Sequence, residues 1–579
     1  MRKDRPAISR SRTGGWRKAR HWPLPLLLSL GYSVSLSSCS PNFYQTRADQ
    51  ETYTALFQKM PEVENVEPVD VDLAPSAPLD LSGLQNRASS ADFLGEMGEY
   101  ERNSKVLSLA DALETGITYG RDYLSARERV FLSGLDLTLA RHRLAPTFYT
   151  GGFGELATDS RDAAVQVGMT KLVSTNTFSR VQSTGFNWLY RTGARISTDF
   201  TQDFLRFLSG HRSLSDSDLA VTLIQPLLQG GGTTVTMERL TQEERNLLYD
   251  LRSFADFRRS FVVDLVSDYF GVLRARDRAH NNYVAYQGFL KNVEREEALA
   301  EEDRRTQTQL GKLSQAKFKA ESQWIDAVRN YQSRLDEFKL TIGVPVDTKL
   351  ILDDRELARL GIDDLTLTRE ESVKIALVTR PDLATAADVV DDAARRIKVA
   401  KNGLLPGLDI AVDYNSVSNP GDRTPALNWD RRRWSTSLDV DLPLDRKAER
   451  NIYRASMIDL DRAKRAKELA DDRARLQVYD AWRALDQAKR NYQISGQAVD
   501  LAARRLEEQT LLAELGRGEA RDLVDAQEDL VDAQNQKTSA LVDHTLARLR
   551  LWRDMGILYI SGDGSWVEKL EQEKPGPAL

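Results

Sequence analysis

The sequence predicts a mostly α-helical fold with a smaller β part, built as two copies of one repeat. Two helical runs, ending at Pro146 and Pro406, are each followed by strand-like sequence. Each strand region ends in a Pro-Leu step, at Pro226 in the first copy and at Pro443 in the second, and a long charged helical stretch follows. A unit of about 200 residues used twice indicates two pseudo-equivalent halves rather than a stack of small repeats.

The composition favours long helices with narrow apolar seams. Charged residues make up 29% of the 579 residues, aromatic residues only 8%, and the net charge is -6. Acidic and basic residues are interleaved along the helical segments, which is typical of solvated surfaces. A nucleic-acid partner is not expected, because such a partner usually requires a basic face.

The N-terminus predicts a lipoprotein signal peptide over residues 1–38. A basic region precedes an apolar segment, 24–36, which is too short to span a bilayer as a helix. This segment ends in Leu-Ser-Ser-Cys, which resembles a bacterial lipobox, and Cys39 is the only cysteine in the chain. We expect Cys39 to carry diacylglycerol and palmitate, which anchor a protein without spanning the membrane. The alternative is an incidental cysteine beside an ordinary signal peptidase site.

The rest of the chain divides into an arm, two repeats, a linker and a tail. Residues 39–106 are interrupted by prolines and enriched in Asp and Glu, which predicts an extended arm or linker. Repeat one then covers 107–345, and an inter-repeat linker covers 346–366. Repeat two covers 367–560, and the C-terminal tail covers 561–579.

Helix lengths give the sharpest geometric prediction. The segment 446–515 would be roughly 105 Å long at ~1.5 Å per residue, and the return helix, 519–555, is about half as long. A helix at 370–401 supplies the other half, so two short helices stacked end to end match one long helix. Repeat one shows the same arithmetic, with a long helix at 235–310 and half-length helices at 108–143 and 314–342.

Heptad spacing of apolar residues marks both return helices and predicts coiled-coil packing. The spaced residues are Trp324, Val328, Tyr331, Leu335, Phe338 and Ile342 in repeat one, and Leu523, Ala526, Leu530, Ala533, Lys537 and Ala540 in repeat two. Lys537 interrupts the seam, which a curved layer of helices with one face in water tolerates.

Alternation of apolar and polar residues predicts strands with unlike faces in both repeats. Repeat two has strand candidates at 408–414 and 434–442. Repeat one has a longer strand region, with candidates at 148–149, 165–173, 195–200 and 219–223. We expect the additional sequence of repeat one to form longer loops or an elaborated strand region.

Over residues 107–557 the sequence resembles the TolC-type outer-membrane efflux protein family, in its lipid-anchored branch. The resemblance is carried by Arg380-Pro381-Asp382-Leu383, Leu404-Leu405-Pro406, Gln225-Pro226-Leu227, and Leu515-Gly516 followed by Asp522-Leu523-Val524-Asp525-Ala526-Gln527. It implies a homotrimer in which each chain gives four transmembrane strands to a β-barrel and one third of a long α-helical barrel. Open sheet edges cannot sit in lipid, so the strands of one chain need further copies to close a barrel.

The resemblance also implies candidate site residues near two hairpin turns in the periplasm. Asp522 and Asp525 would form carboxylate rings that narrow the pore on the three-fold axis. The alternative is that these two residues only favour the helix dipole at a helix start. The candidate contacts with a periplasmic adaptor are the residues expected at the turns: Leu310, Gly311, Leu515 and Gly516.

The function implied by the resemblance is that of a passive, gated exit duct in the outer membrane. Such a duct works with a periplasmic adaptor and an inner-membrane pump or secretion ATPase, and it needs neither enzyme activity nor a cofactor. The five histidines show no ligand spacing, so no metal site is expected. Two rival hypotheses are a periplasmic adaptor and a structural coiled-coil lipoprotein, but the duplicated plan argues against the first and the alternating strands against the second.

Overall fold

The computed structural model describes residues 40–66, 81–87, 91–166, 169–208, 213–301, 307–362, 367–419, 426–515 and 517–568. The chain divides into two units, Met1–Thr52 and Tyr53–Leu579. In the first unit the described residues carry the beginning of helix α1, Pro41–Lys59. The elements that follow α1 belong to the second unit.

The second unit is mostly helical with a smaller β part, which confirms the predicted fold class. Its helices are α2 Glu96–Glu101, α3 Leu109–Tyr119, α4 Arg121–His142, α5 Thr233–Thr236, α6 Glu238–Glu301, α7 Gln307–Thr341, α8 Arg355–Ala358, α9 Arg369–Thr379, α10 Pro381–Gly403, α11 Lys447–Glu514 and α12 Ala520–Met555. Its strands are β1 Lys105–Leu107, β2 Thr147–Gln166, β3 Met169–Leu189, β4 Arg195–Phe207, β5 Ser213–Pro226, β6 Leu350–Leu352, β7 Gly407–Ser418, β8 Leu427–Asp441, β9 Leu558–Ile560 and β10 Trp566–Glu568. None of the helices in the described part of the chain combines the length and the apolar character needed to cross a bilayer.

The long strands form one antiparallel sheet in the order β2-β3-β4-β5-β7-β8. The two repeats meet where β5 pairs with β7, from Asp218↔Val417 to Pro226↔Asp409. The prediction of four strands per chain is therefore wrong, because the described sheet has six strands. The additional strands arise because the longer strand region of repeat one folds into two hairpins. The candidate at 165–173 covers the end of β2 and the start of β3 instead of forming one strand.

Each repeat begins with two short helices, where the sequence predicted a single helix before each strand region. In repeat one, α3 and α4 separate at Gly120, where a Cβ would lie 2.2 Å from the carbonyl oxygen of Gly116. In repeat two, α9 and α10 separate at Arg380, which has an extended backbone (ψ 123°). Arg380 precedes Pro381, and the proline ring sterically disfavours the α conformation in the residue before it. Both helix pairs start with a capping box, Ser108 with Asp111 and Thr368 with Glu371.

The half-length helices meet end to end at two glycine joints, Gly343 and Gly556. Gly343 follows α7 and lies against the end of α3, where a Cβ would be 2.0 Å from the carbonyl oxygen of Tyr119. Gly556 follows α12 and lies against the end of α9, where a Cβ would be 3.0 Å from Oγ1 of Thr379. Both glycines have left-handed backbone conformations, with φ of +80° and +77°. This is the stacking that the helix lengths predict, and the same joint occurs once in each repeat.

The heptad positions face the interior of the helical layers. In α7, Tyr331, Leu335 and Phe338 are buried and Val328 is partly buried in the main core. In α12 the positions with small side chains are buried, whereas Lys537 is exposed. The charged break in the seam therefore lies on the solvent side.

The region predicted as an extended arm, 39–106, contains α1 and supplies part of the core. Leu56 and Leu94 are buried in the main apolar cluster. The arm is also joined to the inter-repeat linker, because β1 pairs in parallel with β6, from Lys105↔Leu350 to Leu107↔Leu352.

A buried carboxylate, Glu101, attaches this segment to the long helices. Arg276 of α6 donates two hydrogen bonds to it, at 3.2 and 3.1 Å, and the hydroxyl of Tyr331 in α7 donates a third at 2.8 Å. Burial raises the pKa of Tyr331, so this hydroxyl keeps its proton and stays a donor. Burial would also raise the pKa of the nearby Asp354, but the charges of Arg276 and Arg87 hold it below its usual range. The Glu101 carboxylate is stable in the interior because charged donors compensate its negative charge.

Gly343→Ala should destabilise the protein because it forces a side chain into a left-handed conformation and against the backbone at Tyr119. We expect the free energy of unfolding to fall by about 2 kcal/mol or more, since the left-handed conformation alone costs roughly 1–2 kcal/mol. Thermal unfolding of the purified full chain measures the change. Gly496→Ala is the matched control: Gly496 lies inside α11 with open space at its Cβ position, so alanine should stabilise by about 0.5–1 kcal/mol. Equal effects of the two variants would contradict the role assigned to the joint.

Candidate functional site

The candidate site lies at the ends of the two long helical hairpins. In repeat one, α6 ends at Glu301 and α7 begins at Gln307, so the connection, 302–306, lies outside the described residues. Gly311 is therefore inside α7, which corrects the prediction that it lies at the turn. A helix interior tolerates one glycine at a cost of about 1 kcal/mol. Gly516 lies outside the described residues, in the connection between α11 and α12.

The second hairpin closes through backbone hydrogen bonds around Gly518, which was not among the predicted site residues. The amides of Arg517 and Gly518 donate to the carbonyl oxygen of Leu512 at 2.9 and 3.0 Å. A Cβ on Gly518 would lie 2.9 Å from the backbone nitrogen of Ala513. The close approach requires glycine at 518. The second glycine of the Gly-Arg-Gly sequence is the signal that could have identified it.

The two hairpins pack against each other close to their ends. Val293 of α6, Leu313 of α7 and Ala520 of α12 are buried in one small cluster. Leu310 and Val524 are partly buried against it. Of the predicted tip residues, Leu310 thus contributes to packing between the hairpins, whereas Leu515 is 70% exposed.

A row of polar contacts continues this packing between the repeats. Nζ of Lys319 lies 2.8 and 2.9 Å from the carboxylate oxygens of Glu528. Further along α12, two hydrogen bonds join it to α6: Asn281 donates to Asn535 at 3.0 Å, and Thr538 donates to Asp277 at 2.7 Å. These contacts fix the position of α12 against the hairpin of repeat one.

Asp522 and Asp525 lie on the exposed face at the start of α12. Leu523 and Ala526 occupy the buried face of the same turns. Residues three apart are neighbours on a helix, so the two carboxylates share one face. Asp525 lies near Arg521, with Nε 3.8 Å from Oδ2. Asp522 lies in the first turn, where a carboxylate also interacts favourably with the helix dipole. The arrangement presents negative charge to solvent beside the hairpin turn.

Two further residue predictions concern lipid and metal binding. Cys39 lies outside the described residues. Within the described part of the chain, His, Cys, Asp and Glu side chains form no group that could hold a metal ion.

Comparison with known proteins identifies the class to which this architecture belongs. Residues 373–556 match the family model described as outer membrane efflux protein. This segment lies within the range proposed for repeat two, and the resemblance inferred from the sequence is confirmed. Over this segment the chain is similar to outer membrane efflux proteins of the TolC type. No curated protein sequence matches the chain.

Solved structures with the same fold cover most of the chain at low sequence identity. A crystal structure of CusC has a TM-score of 0.56 and 12% identity, and covers 83% of this chain and 97% of its own. The CmeC outer membrane channel of Campylobacter jejuni has a TM-score of 0.55 and 12% identity, with 87% and 94% covered. The MtrE outer membrane channel of Neisseria gonorrhoeae, in its open state, has a TM-score of 0.53 and 13% identity, with 77% and 88% covered. The fold of both repeats is therefore shared with outer membrane channels.

Leu313→Ala should loosen the packing between the hairpin ends. Leu313 is fully buried, and truncating a buried leucine typically costs about 2–5 kcal/mol. Because the cluster is small, we expect the loss to be local, with faster amide hydrogen exchange in residues 520–527. Leu515→Ala, at an exposed position near the same end, is the control and should leave this exchange unchanged. Unchanged exchange in Leu313→Ala would show that the cluster does not hold α12.

Proposed function

We propose that the protein is the outer-membrane duct of a tripartite efflux or type I secretion system. This proposal rests on the duplicated arrangement: half-length helices stack end to end beside full-length helices in each repeat, and the long strands of both repeats form one antiparallel sheet. The match of residues 373–556 to the outer membrane efflux protein family supports an outer-membrane location and a transport role without enzyme activity. In this proposal three copies assemble, and the protein provides a passive aqueous path while a pump or secretion ATPase supplies the energy.

The start of α12 acts as the gate in this proposal. Three copies of Asp522 and Asp525 would surround the axis as two carboxylate rings, which favour cations and narrow the path. The hairpin ends, including Leu310, Gly311, Leu515 and Gly516, provide the surface for a periplasmic adaptor. Opening requires α12 to shift, and the contacts of Lys319 with Glu528 and of Asn281 with Asn535 would resist that shift.

Neutralising the two carboxylates tests both the duct and the gate. The purified full-length protein should conduct ions in planar lipid bilayers. In Asp522→Asn with Asp525→Asn, the preference for cations should fall and the conductance should rise. A charge pair at close range in water is worth about 1 kcal/mol, so we expect roughly a fivefold change in relative cation permeability.

Asp459→Asn with Asp472→Asn is the matched control, because both residues are exposed carboxylates of α11 and each lies near an arginine, as Asp525 does. This control should keep the native selectivity. Absence of conductance in all three proteins would refute the duct. Conductance with unchanged selectivity in the Asp522 and Asp525 variant would refute the gate alone.

The lipid anchor is a separate part of the proposal. Cys39→Ala should abolish incorporation of labelled palmitate in cells, because the lipid is attached through the thiol of Cys39. Ser38→Ala keeps a small residue before the cysteine and should retain the label. Labelling that persists in Cys39→Ala would exclude Cys39 as the attachment site.

A further inference from the structure

We propose that three copies join through strands β2 and β8 to close a transmembrane barrel of eighteen strands, in which the β2–β3 hairpin is part of the wall. The described part of each chain supplies six strands of one sheet, so three chains supply eighteen. The inference rests on the trimer of the proposed function and goes beyond it, because it defines the subunit contact and the width of the duct.

The β2–β3 hairpin is a continuous part of the sheet. β3 pairs with β4 over thirteen consecutive residue pairs, from Thr177↔Phe207 to Leu189↔Arg195. Tyr149 of β2 reaches across β3, and its hydroxyl donates to Asp199 of β4 at 2.6 Å. The crossing requires glycine on β3, because a Cβ at Gly185 would lie 2.6 Å from that hydroxyl and 2.0 Å from the carbonyl oxygen of Thr198.

The turn between β3 and β4 is tied to the end of β5. The hydroxyl of Thr192 donates to the side-chain carbonyl of Gln225 at 2.9 Å, and the amide of Gly232 donates to the carbonyl oxygen of Thr192 at 3.0 Å. Gly193 has φ of +92°, and a Cβ there would lie 2.9 Å from the carbonyl oxygen of Gly230. The glycine loop 230–232 therefore fits around the turn between β3 and β4. This contact anchors the lower end of β3, and with it the β2–β3 hairpin, to the segment that follows β5.

Near the strand ends that adjoin the helices, the two faces of the sheet differ in polarity. Register places apolar side chains next to each other on one face: Phe148 with Phe186, Trp188 with Ile196, Ile196 with Leu223, Leu223 with Val412, and Tyr414 with Trp434. The opposite face carries acidic residues from four of the strands: Asp199 and Asp203 of β4, Asp216 and Asp218 of β5, Asp409 and Asp413 of β7, and Asp439 of β8. An apolar exterior and a polar interior are what a membrane barrel with an aqueous lumen requires. Because Phe148 and Phe186 share the apolar face, β2 and β3 belong to the same wall.

Strand direction identifies the occupant of the free edges. Among the described strands the sheet ends at β2 on one side and β8 on the other. Six alternating strands make β2 and β8 run in opposite directions, so β8 of one copy can pair with β2 of the next and continue the antiparallel order. Unpaired backbone groups cannot remain in lipid, and a second copy offers a matching edge.

The additional strands widen the duct. With strands ~4.8 Å apart and tilted by about 40°, eighteen strands give a backbone diameter of about 36 Å, against about 24 Å for twelve. Barrels of 16–18 strands are known to leave an aqueous channel. The duct would therefore pass solutes and polymer chains of larger cross-section than a twelve-stranded barrel admits.

Disulfide cross-linking of the full-length protein in outer membranes tests the edge contact. Thr150→Cys on β2 is combined in turn with Trp434→Cys, Thr436→Cys and Leu438→Cys on β8, all on the apolar face. We expect oxidation to give covalent dimers and trimers with at least one of these partners. Thr198→Cys on β4, combined with the same β8 series, is the control and should give none, because β4 is internal to the sheet. Cross-links through Thr198 and none through Thr150 would overturn the inference.

Electron cryo-microscopy of the unmodified protein in lipid nanodiscs gives a direct strand count. Eighteen strands around a lumen would support the inference. A closed trimer of twelve strands, with β2 and β3 outside the wall, would overturn it while leaving the proposed duct intact. Particles without a lumen would overturn both proposals.

Discussion

The end-to-end joint between half-length helices is the constraint on which the rest of the helical structure depends. At Gly343 and at Gly556 the backbone turns left-handed directly against the end of another helix, at a distance that leaves no room for a Cβ at Gly343. This contact makes two short helices equivalent to one long helix. As a result, one part of α11 packs against α10 and another part of α11 packs against α12. Because both repeats use the same joint, their long hairpins come to lie side by side.

The joints also determine where the hairpins end. With α7 and α12 both fixed at their C-terminal ends, the N-terminal ends of these helices reach the same cluster, formed by Leu313, Ala520 and Val293. The charged start of α12 thus projects beside a packed apolar contact. Glu101 adds a second fixed point, since its buried contacts with Arg276 and Tyr331 hold α6 and α7 together near the core. A helix held firmly at one end and by a small cluster at the other is suited to local displacement.

The sheet follows a different rule from the helices. Helical layers tolerate charged positions such as Lys537 on their outer face, whereas a sheet in lipid must keep one face apolar in every strand. The added hairpin places Phe148 and Phe186 together on the apolar face, and the Tyr149 hydroxyl over Gly185 ties β2 to β4. Repeat one could therefore gain two strands without disturbing the pairing of β5 with β7 that joins the repeats.

The sequence by itself determined the repeat, the pairing of long with half-length helical segments and the alternating strands of repeat two, because periodicity is a local signal. Only the tertiary structure decided that repeat one contributes four strands, that Gly311 lies within α7 and Gly518 at a close backbone contact, and that the arm docks through Glu101. The docking of the arm and the added strands depend on contacts between residues far apart in the chain, such as Glu101 with Arg276 and Tyr149 with Asp199. Such contacts leave no periodic pattern, since their geometry exists only once the helices and strands have packed.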